Sequence, residues 1–305
     1  MCLIRLLKIP RGGSGTFDFE SENARYFGVK AIELSNEAGI VSPINDYPDN
    51  ADVILTLSYT HTLPGEMSWL SLSAGQFSLT SIDGTPYTTD PHGSLINMSF
   101  SASASAAYPD AGFGAYAKTE TGHLSVRAGA QSSANMEGNR IAADTISGGY
   151  YTSFLFTEYK PEVKNFGEGI YSFLLYYQNN EGGLSDTFGW SFNFQQAIGK
   201  FAVYGKANGI KGGISESGIK QGYATGIAYK DPFERNDLDV ILLAAGYNEI
   251  DAEEFGFSSE KILEFQWVYG ITYLMSITPN IQIYDSAFDN GKTSVVYGLR
   301  ATFYL

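Results

Sequence analysis

The chain has 305 residues, of which 17% are charged, and it carries 21 Tyr, 20 Phe and 34 Gly. Soluble proteins average about 25% charged residues, and a membrane-spanning helix needs about 18–20 consecutive apolar ones, which no stretch supplies. A net charge of −14 with only 19 Lys and Arg leaves no basic face for nucleic acid. The single cysteine, Cys2, excludes a disulfide scaffold and any cluster of thiolate ligands.

From the N-terminus, residues 1–24 read as a lead-in. MCLIRLLKIP is too short and too interrupted by Arg5 and Lys8 for a secretory signal. The GGSG at 12–15 lacks the strand-to-helix context of a phosphate loop and reads as flexible. The barrel domain is expected over 25–305, with RYFGVKAIELS (25–35) as its earliest strand.

Beyond this point segments alternate with a period of two, the signature of strands whose successive side chains point to opposite faces. DVILTLSYT (52–60) and SWLSLSAGQFSL (68–79) are joined by a turn. LINMSFSASAS (95–105) sets Ile96, Met98 and Phe100 against Asn97, Ser99 and Ser101. Residues 112–119 and 123–131 form a hairpin across ETG. Strands follow at 150–159, 169–178, 188–196, 200–208, 220–230, 238–247, 263–274, 281–285 and 294–305. In FGWSFNFQQ (188–196) one face is Phe188, Trp190, Phe192 and Phe194, and the other is Gly189, Ser191, Asn193 and Gln195. GIYSFLLYYQ (169–178) is apolar on both faces, as if its inner face met an inward-folded loop.

About fifteen strands with tight turns at one end and long polar links at the other make an outer-membrane pattern. The fold class is therefore all-β, a transmembrane antiparallel up-and-down β-barrel of about 16 strands (14–16). Bacterial barrels carry even numbers, so the odd count and the missing signal together point to a chain that lacks its true N-terminus and its first strand. The competing reading is fourteen strands, with 25–35 or 281–285 not spanning.

A barrel this wide leaves a channel rather than a core that side chains can fill. The aromatics then face lipid, and Trp69, Tyr159, Tyr229 and Tyr284 suit the interfacial girdles. An Arg or Lys facing lipid at mid-bilayer costs about 2–4 kcal/mol. Lys118, Arg127, Lys206, Asp239, Glu264 and Arg300 all fall on polar faces, which makes them the pore-lining candidates. The long link 132–149 is expected to fold inward and narrow the pore. No G-x-S-x-G, H-E-x-x-H or CxxC spacing is present, so no catalytic residue, metal site or cofactor is expected.

The chain resembles the carbohydrate-selective OprB-type porins from about residue 67 onward. LSAGQF followed by SIDG, then SLINMSF, resembles the family's strand-then-Asp segment and its following strand. GYATGIAYKDPFERNDLDVILLAAGY (222–247) is the nearest stretch, and the ending, with TPNIQI and GLR, is also similar. The resemblance implies an outer-membrane porin passing small sugars or ions through a water-filled lumen, without chemistry, in contact with outer-membrane lipid. The alternating C-terminal strand resembles those read by the barrel assembly machinery, although it ends in Leu305. A homotrimer is compatible with this reading, but no residue names an interface. A general ion-diffusion porin, or a plugged barrel acting as enzyme or adhesin, are the alternatives.

Overall fold

A computed structural model describes residues 2–4, 8–9, 13–25, 29–45, 50–89, 94–134, 138–179, 185–213, 217–251, 258–285 and 292–303. Three short strands are β1 (Cys2–Ile4), β2 (Lys8–Ile9) and β9 (Glu162–Val163). The long strands begin with β3 (Gly13–Arg25), β4 (Asn50–Thr62), β5 (Leu70–Phe77), β6 (Gly112–Thr121), β7 (Leu124–Ser132) and β8 (Tyr151–Tyr159). They continue with β10 (Gly167–Gln178), β11 (Thr187–Ile198), β12 (Phe201–Lys211), β13 (Ile219–Lys230) and β14 (Val240–Ile250). The last are β15 (Ser259–Thr272), β16 (Met275–Asp285) and β17 (Thr293–Phe303).

Each long strand pairs antiparallel with the next long strand in the chain, from β3 to β17. This is the meander of an up-and-down barrel. Two-residue turns close β11 to β12 and β6 to β7, with Gly199 (φ 61°) and Gly122 (φ 58°) supplying the left-handed backbone. The three longest links, 26–49, 78–111 and 133–150, leave from the other end.

The faces fall as the alternation requires. Phe188 and Phe192 are 47% and 40% exposed on the outside, whereas Ser191 and Asn193 are buried inside. Across the sheet the outer surface carries Phe201, Leu243, Leu263, Phe265, Ile281 and Ile283. An apolar band outside and polar groups within is the arrangement that lipid selects.

Among the described residues fourteen strands are eight to fourteen residues long, the low end of the expected range. Three expectations need correction. Residues 13–25, read as lead-in with a flexible GGSG, form β3 instead, with Phe17 and Phe19 turned outward. Residues 25–35 are not a spanning strand: Arg25 ends β3, residues 26–28 lie outside the described residues, and α1 (Ala31–Ala38) begins at 31. Its Ala, Leu and Glu favour a helix, and Gly39 ends it in the left-handed conformation (φ 69°). Residues 95–105 are not a strand either. They contain one helical turn, α2 (Met98–Ser101), capped by the Asn97 side chain, which accepts from the Ser99 amide at 2.9 Å.

The interior is partly filled by chain. Residues 78–89 and 94–111, between β5 and β6, fold inward and pack along the inner wall. Leu95, Phe100 and Tyr87 pack with Tyr204, Ala228, Leu242, Ala244, Ile262 and Tyr284. Leu79 and Tyr108 pack with Phe154, Phe156, Leu174 and Tyr176, which accounts for the two-sided apolar pattern of β10. Ile40 and Ile44, just beyond α1, join the first cluster. Link 132–149, expected to narrow the pore, is tied to strand ends instead: Gly138 accepts from the Ile54 amide at 3.0 Å, and the Ala142 amide donates to Gln76 at 3.0 Å. Tyr284, expected in a girdle, is fully buried on the inner face.

Candidate channel interior

The inner wall divides into two parts of different character. From β10 to β16 many of its polar side chains are buried, and several of them bind the inward segments. On β15 the inward row runs Glu260, Ile262, Glu264, Gln266, Val268, all buried. Glu264 accepts from the backbone amides of Ile96 (3.0 Å) and Asn97 (3.2 Å) and from the Asn280 side chain. Glu260 accepts from the amides of Val41 (2.7 Å) and Ser42 (3.3 Å) and from Asn248 (3.0 Å). Gln282 donates to the Ile44 carbonyl at 3.0 Å, and Asn208 accepts from the Ser105 amide at 2.9 Å. Loops otherwise avoid burial because their backbone groups would go unpaired. Here the strand side chains supply the partners.

Asp83 anchors the segment from the other side. Its carboxylate accepts from Ser103 (2.7 Å), Tyr108 (2.9 Å) and Asn193 (3.1 Å), and also from Ser191. Burial, followed by the Asp83 charge, pushes the Tyr108 hydroxyl well above the usual tyrosine range, so it remains a donor.

The second part, from β17 round to β7, keeps contact with open space. Thr16, Asp18 and Glu20 on β3, Thr60 and Thr62 on β4, and Ser71 on β5 are half-buried on the inner face. So are Lys118 on β6 and Arg127 on β7. The hydroxyls pair across strands, Thr60 with Ser73 at 3.1 Å and Thr62 with Ser71 at 2.9 Å. This crescent is the part of the inner wall that stays half-buried beside the inward segments. Glu20 marks its margin, accepting from Thr56 at 3.2 Å and from Ser81 of the inward segment at 3.3 Å.

The six sequence-derived candidates separate accordingly. Lys118 and Arg127 are register partners on the crescent. Arg300 is half-buried and donates to the Ser94 carbonyl at 3.2 Å, at the junction of the two parts. Glu264 and Lys206 lie on the filled side, where the Lys206 ammonium donates to the Ala102 carbonyl. Asp239 precedes β14 in a tight turn and lines nothing. It pairs with Arg235 at 2.8 Å and accepts from the Gly270 amide at 2.7 Å, fastening that turn to β15. Lys206 is 4% exposed, so its charge is remote from passing ions. Lys206→Met should leave the reversal potential in a salt gradient unchanged while lowering the thermal midpoint, and a shifted reversal potential would return Lys206 to the open wall.

Sequence reasoning missed Asp83, Glu260, Asn97, Asn208 and Gln282. Glu260 was within reach, since it shares the inward face of Glu264 four residues on. Asp83 lies in the SIDG that carries part of the family resemblance, but nothing local marks it as an inward anchor.

No protein-family model matches the chain. Porin AaxA of Chlamydia felis (strain Fe/C-56) is 31% identical over 308 residues, which cover 98% of this chain and 68% of that protein. Porin AaxA of Chlamydia abortus (strain DSM 27085 / S26/3) is 30% identical over 311 residues, covering 98% of this chain and 68% of the relative. Among solved structures, the outer membrane channel DcaP of Acinetobacter baumannii superposes with a TM-score of 0.58 at 11% identity, over 95% of this chain and 80% of its own. Pseudomonas putida OprB gives 0.57 at 13% identity, over 83% and 67%. At these identities the two structures speak to the fold alone.

Proposed function

Because the chain belongs to the porin AaxA family, and is thus a bacterial outer-membrane porin, we propose that it passes small hydrophilic solutes passively, with carbohydrates as the favoured class. The relatives mark a channel rather than an enzyme. The observation that carries the solute class is the hydroxyl-lined crescent of Thr16, Thr60, Thr62, Ser71 and Ser73. A hydroxyl both donates and accepts, so this wall can exchange hydrogen bonds with a polyol as it moves past without holding it. Passage through a pore requires sites that are favourable to enter and weak enough to leave.

A general ion-diffusion porin is the second reading. It is favoured by charges of both signs on the same crescent, Asp18 and Glu20 against Lys118 and Arg127. Single-channel current in a planar bilayer, with titrated sugars, separates the two. Saturable reduction of current by sugar is the expected result. Openings indifferent to sugar would leave the general porin, and a correctly folded barrel without openings would mean that the inward segments close it.

A further inference from the structure

We infer that Arg127, with Lys118 and Ser125, forms an oxyanion-binding subsite on the open wall, taking a carboxylate or phosphate group of a small solute. This inference deepens the channel reading above and rests on it. Lys118 and Arg127 are directly opposed in the β6–β7 register. Like charges placed directly opposite each other are destabilising, so the pair asks for a counter-charge. Lys118 finds one in Glu120 at 2.8 Å, and the neighbouring Glu158 is taken by Lys160 at 3.0 Å. The Arg127 guanidinium has no carboxylate closing an ion pair with it among the described residues. Its Nε is enclosed and has no hydrogen-bond partner there.

Two further features fit. The guanidinium carbon stands 5.5 Å from the centre of the Phe156 ring, on the adjoining strand in register, which gives the planar group a floor. Ser125 lies two residues away on the same face. It is 6% exposed, and its hydroxyl is also without a partner among the described residues. A buried donor left unpaired is costly, and the Arg127 Nε and the Ser125 hydroxyl on one face are satisfied together by an oxyanion, while Glu120, which also feels the Arg127 charge, stays bound to Lys118. The guanidinium fork matches carboxylate and phosphate geometry, which an ammonium does not. Asp18 and Glu20 on the β3 wall keep the subsite local and hold anions to that side of the crescent.

The test uses inorganic phosphate and, separately, acetate as probes. In bilayers bathed in potassium chloride, phosphate should reduce single-channel current saturably, and acetate more weakly. In parallel, phosphorus NMR line broadening on the detergent-solubilised barrel reads binding without current. Arg127→Ala should weaken both effects at least about tenfold, the loss of one charge-assisted partner. Arg127→Lys should keep the reversal potential but still lose most of the phosphate affinity, because the fork is gone. A conducting channel that phosphate neither blocks nor broadens would overturn the subsite and leave the channel reading intact. So would equal affinity in the wild type and in Arg127→Ala. A chain without openings would count against the channel reading, and phosphate broadening lost in Arg127→Ala would still support the subsite.

Discussion

Glu264→Ala is expected to destabilise the protein by about 3–5 kcal/mol, since each buried donor left unpaired costs about 1–3 kcal/mol. The substitution strands the amides of Ile96 and Asn97 and the Asn280 side chain at once. It also removes the charge facing Arg300, which shares the Ser94 carbonyl with Gln266. Glu264→Gln keeps an acceptor and should cost only about 1–2 kcal/mol. The urea midpoint of heat-modifiable barrel reads the difference. Channel recordings should show the second consequence: an open current interrupted by rapid fluctuations, as residues 94–97 leave the wall. An alanine variant as stable and as quiet as the wild type would mean that the segment is held by its apolar contacts alone.

Replacing residues 80–107 with a short Gly-Ser link should raise single-channel conductance roughly twofold or more, because the barrel is wider than its own side chains can fill. The eight strands β10–β17 then expose a wall now covered by that segment. Asn193, Asn208, Asn248, Gln266, Glu264 and Lys206 would become wet, and with one acid and one base among them the gain in current should come with little change in ion preference. The apolar side chains of the same wall, Leu242, Ile262 and Leu174, would meet water and lower the thermal midpoint. Conductance equal to that of the intact chain would show that the solute path runs clear of the segment.

Much of this fold is legible in the sequence because lipid imposes a simple rule on it. In 188–196 and 263–274 every second residue is apolar, and the outside of the barrel has no other use for those positions. The errors arise where the chain turns from lipid toward itself. Ile96, Met98 and Phe100 alternate with Asn97, Ser99 and Ser101 as faithfully as any spanning strand, yet Phe100 packs against Tyr204 and Leu242, and Asn97 caps α2. Nothing within those eleven residues distinguishes a wall of lipid from an apolar wall provided by distant strands. β3 was passed over for the opposite reason: Phe17 and Phe19 alternate with acids, but Ser21 and Asn23 stand where apolar residues should continue.

The same limit applied to the interior. That Lys206 and Glu264 face inward follows from their position in the pattern. That they hold backbone rather than solute depends on residues 102 and 96–97, which arrive from another part of the chain. Lys118 and Arg127 lie on neighbouring strands of one hairpin, where sequence spacing alone brings them together, and they remain on the open wall.

The partners that fix the inward segments also set an order of events. Ile96 and Glu264 are 168 residues apart, Ile44 and Gln282 are 238 apart, and Ala38 and Ser294 are 256 apart. Contacts of such long range form late, because the closure entropy must be met before they contribute. Residues 38–44 and 94–97 must therefore wait, in the nascent barrel, for β15–β17. Until β15–β17 are in place, residues 41–44 and 94–97 lack the partners that Glu260, Glu264 and Gln282 supply. In this protein, completing the wall and fastening the filter are one and the same step, so a barrel stalled before β15–β17 would carry a loosely held filter rather than a finished one.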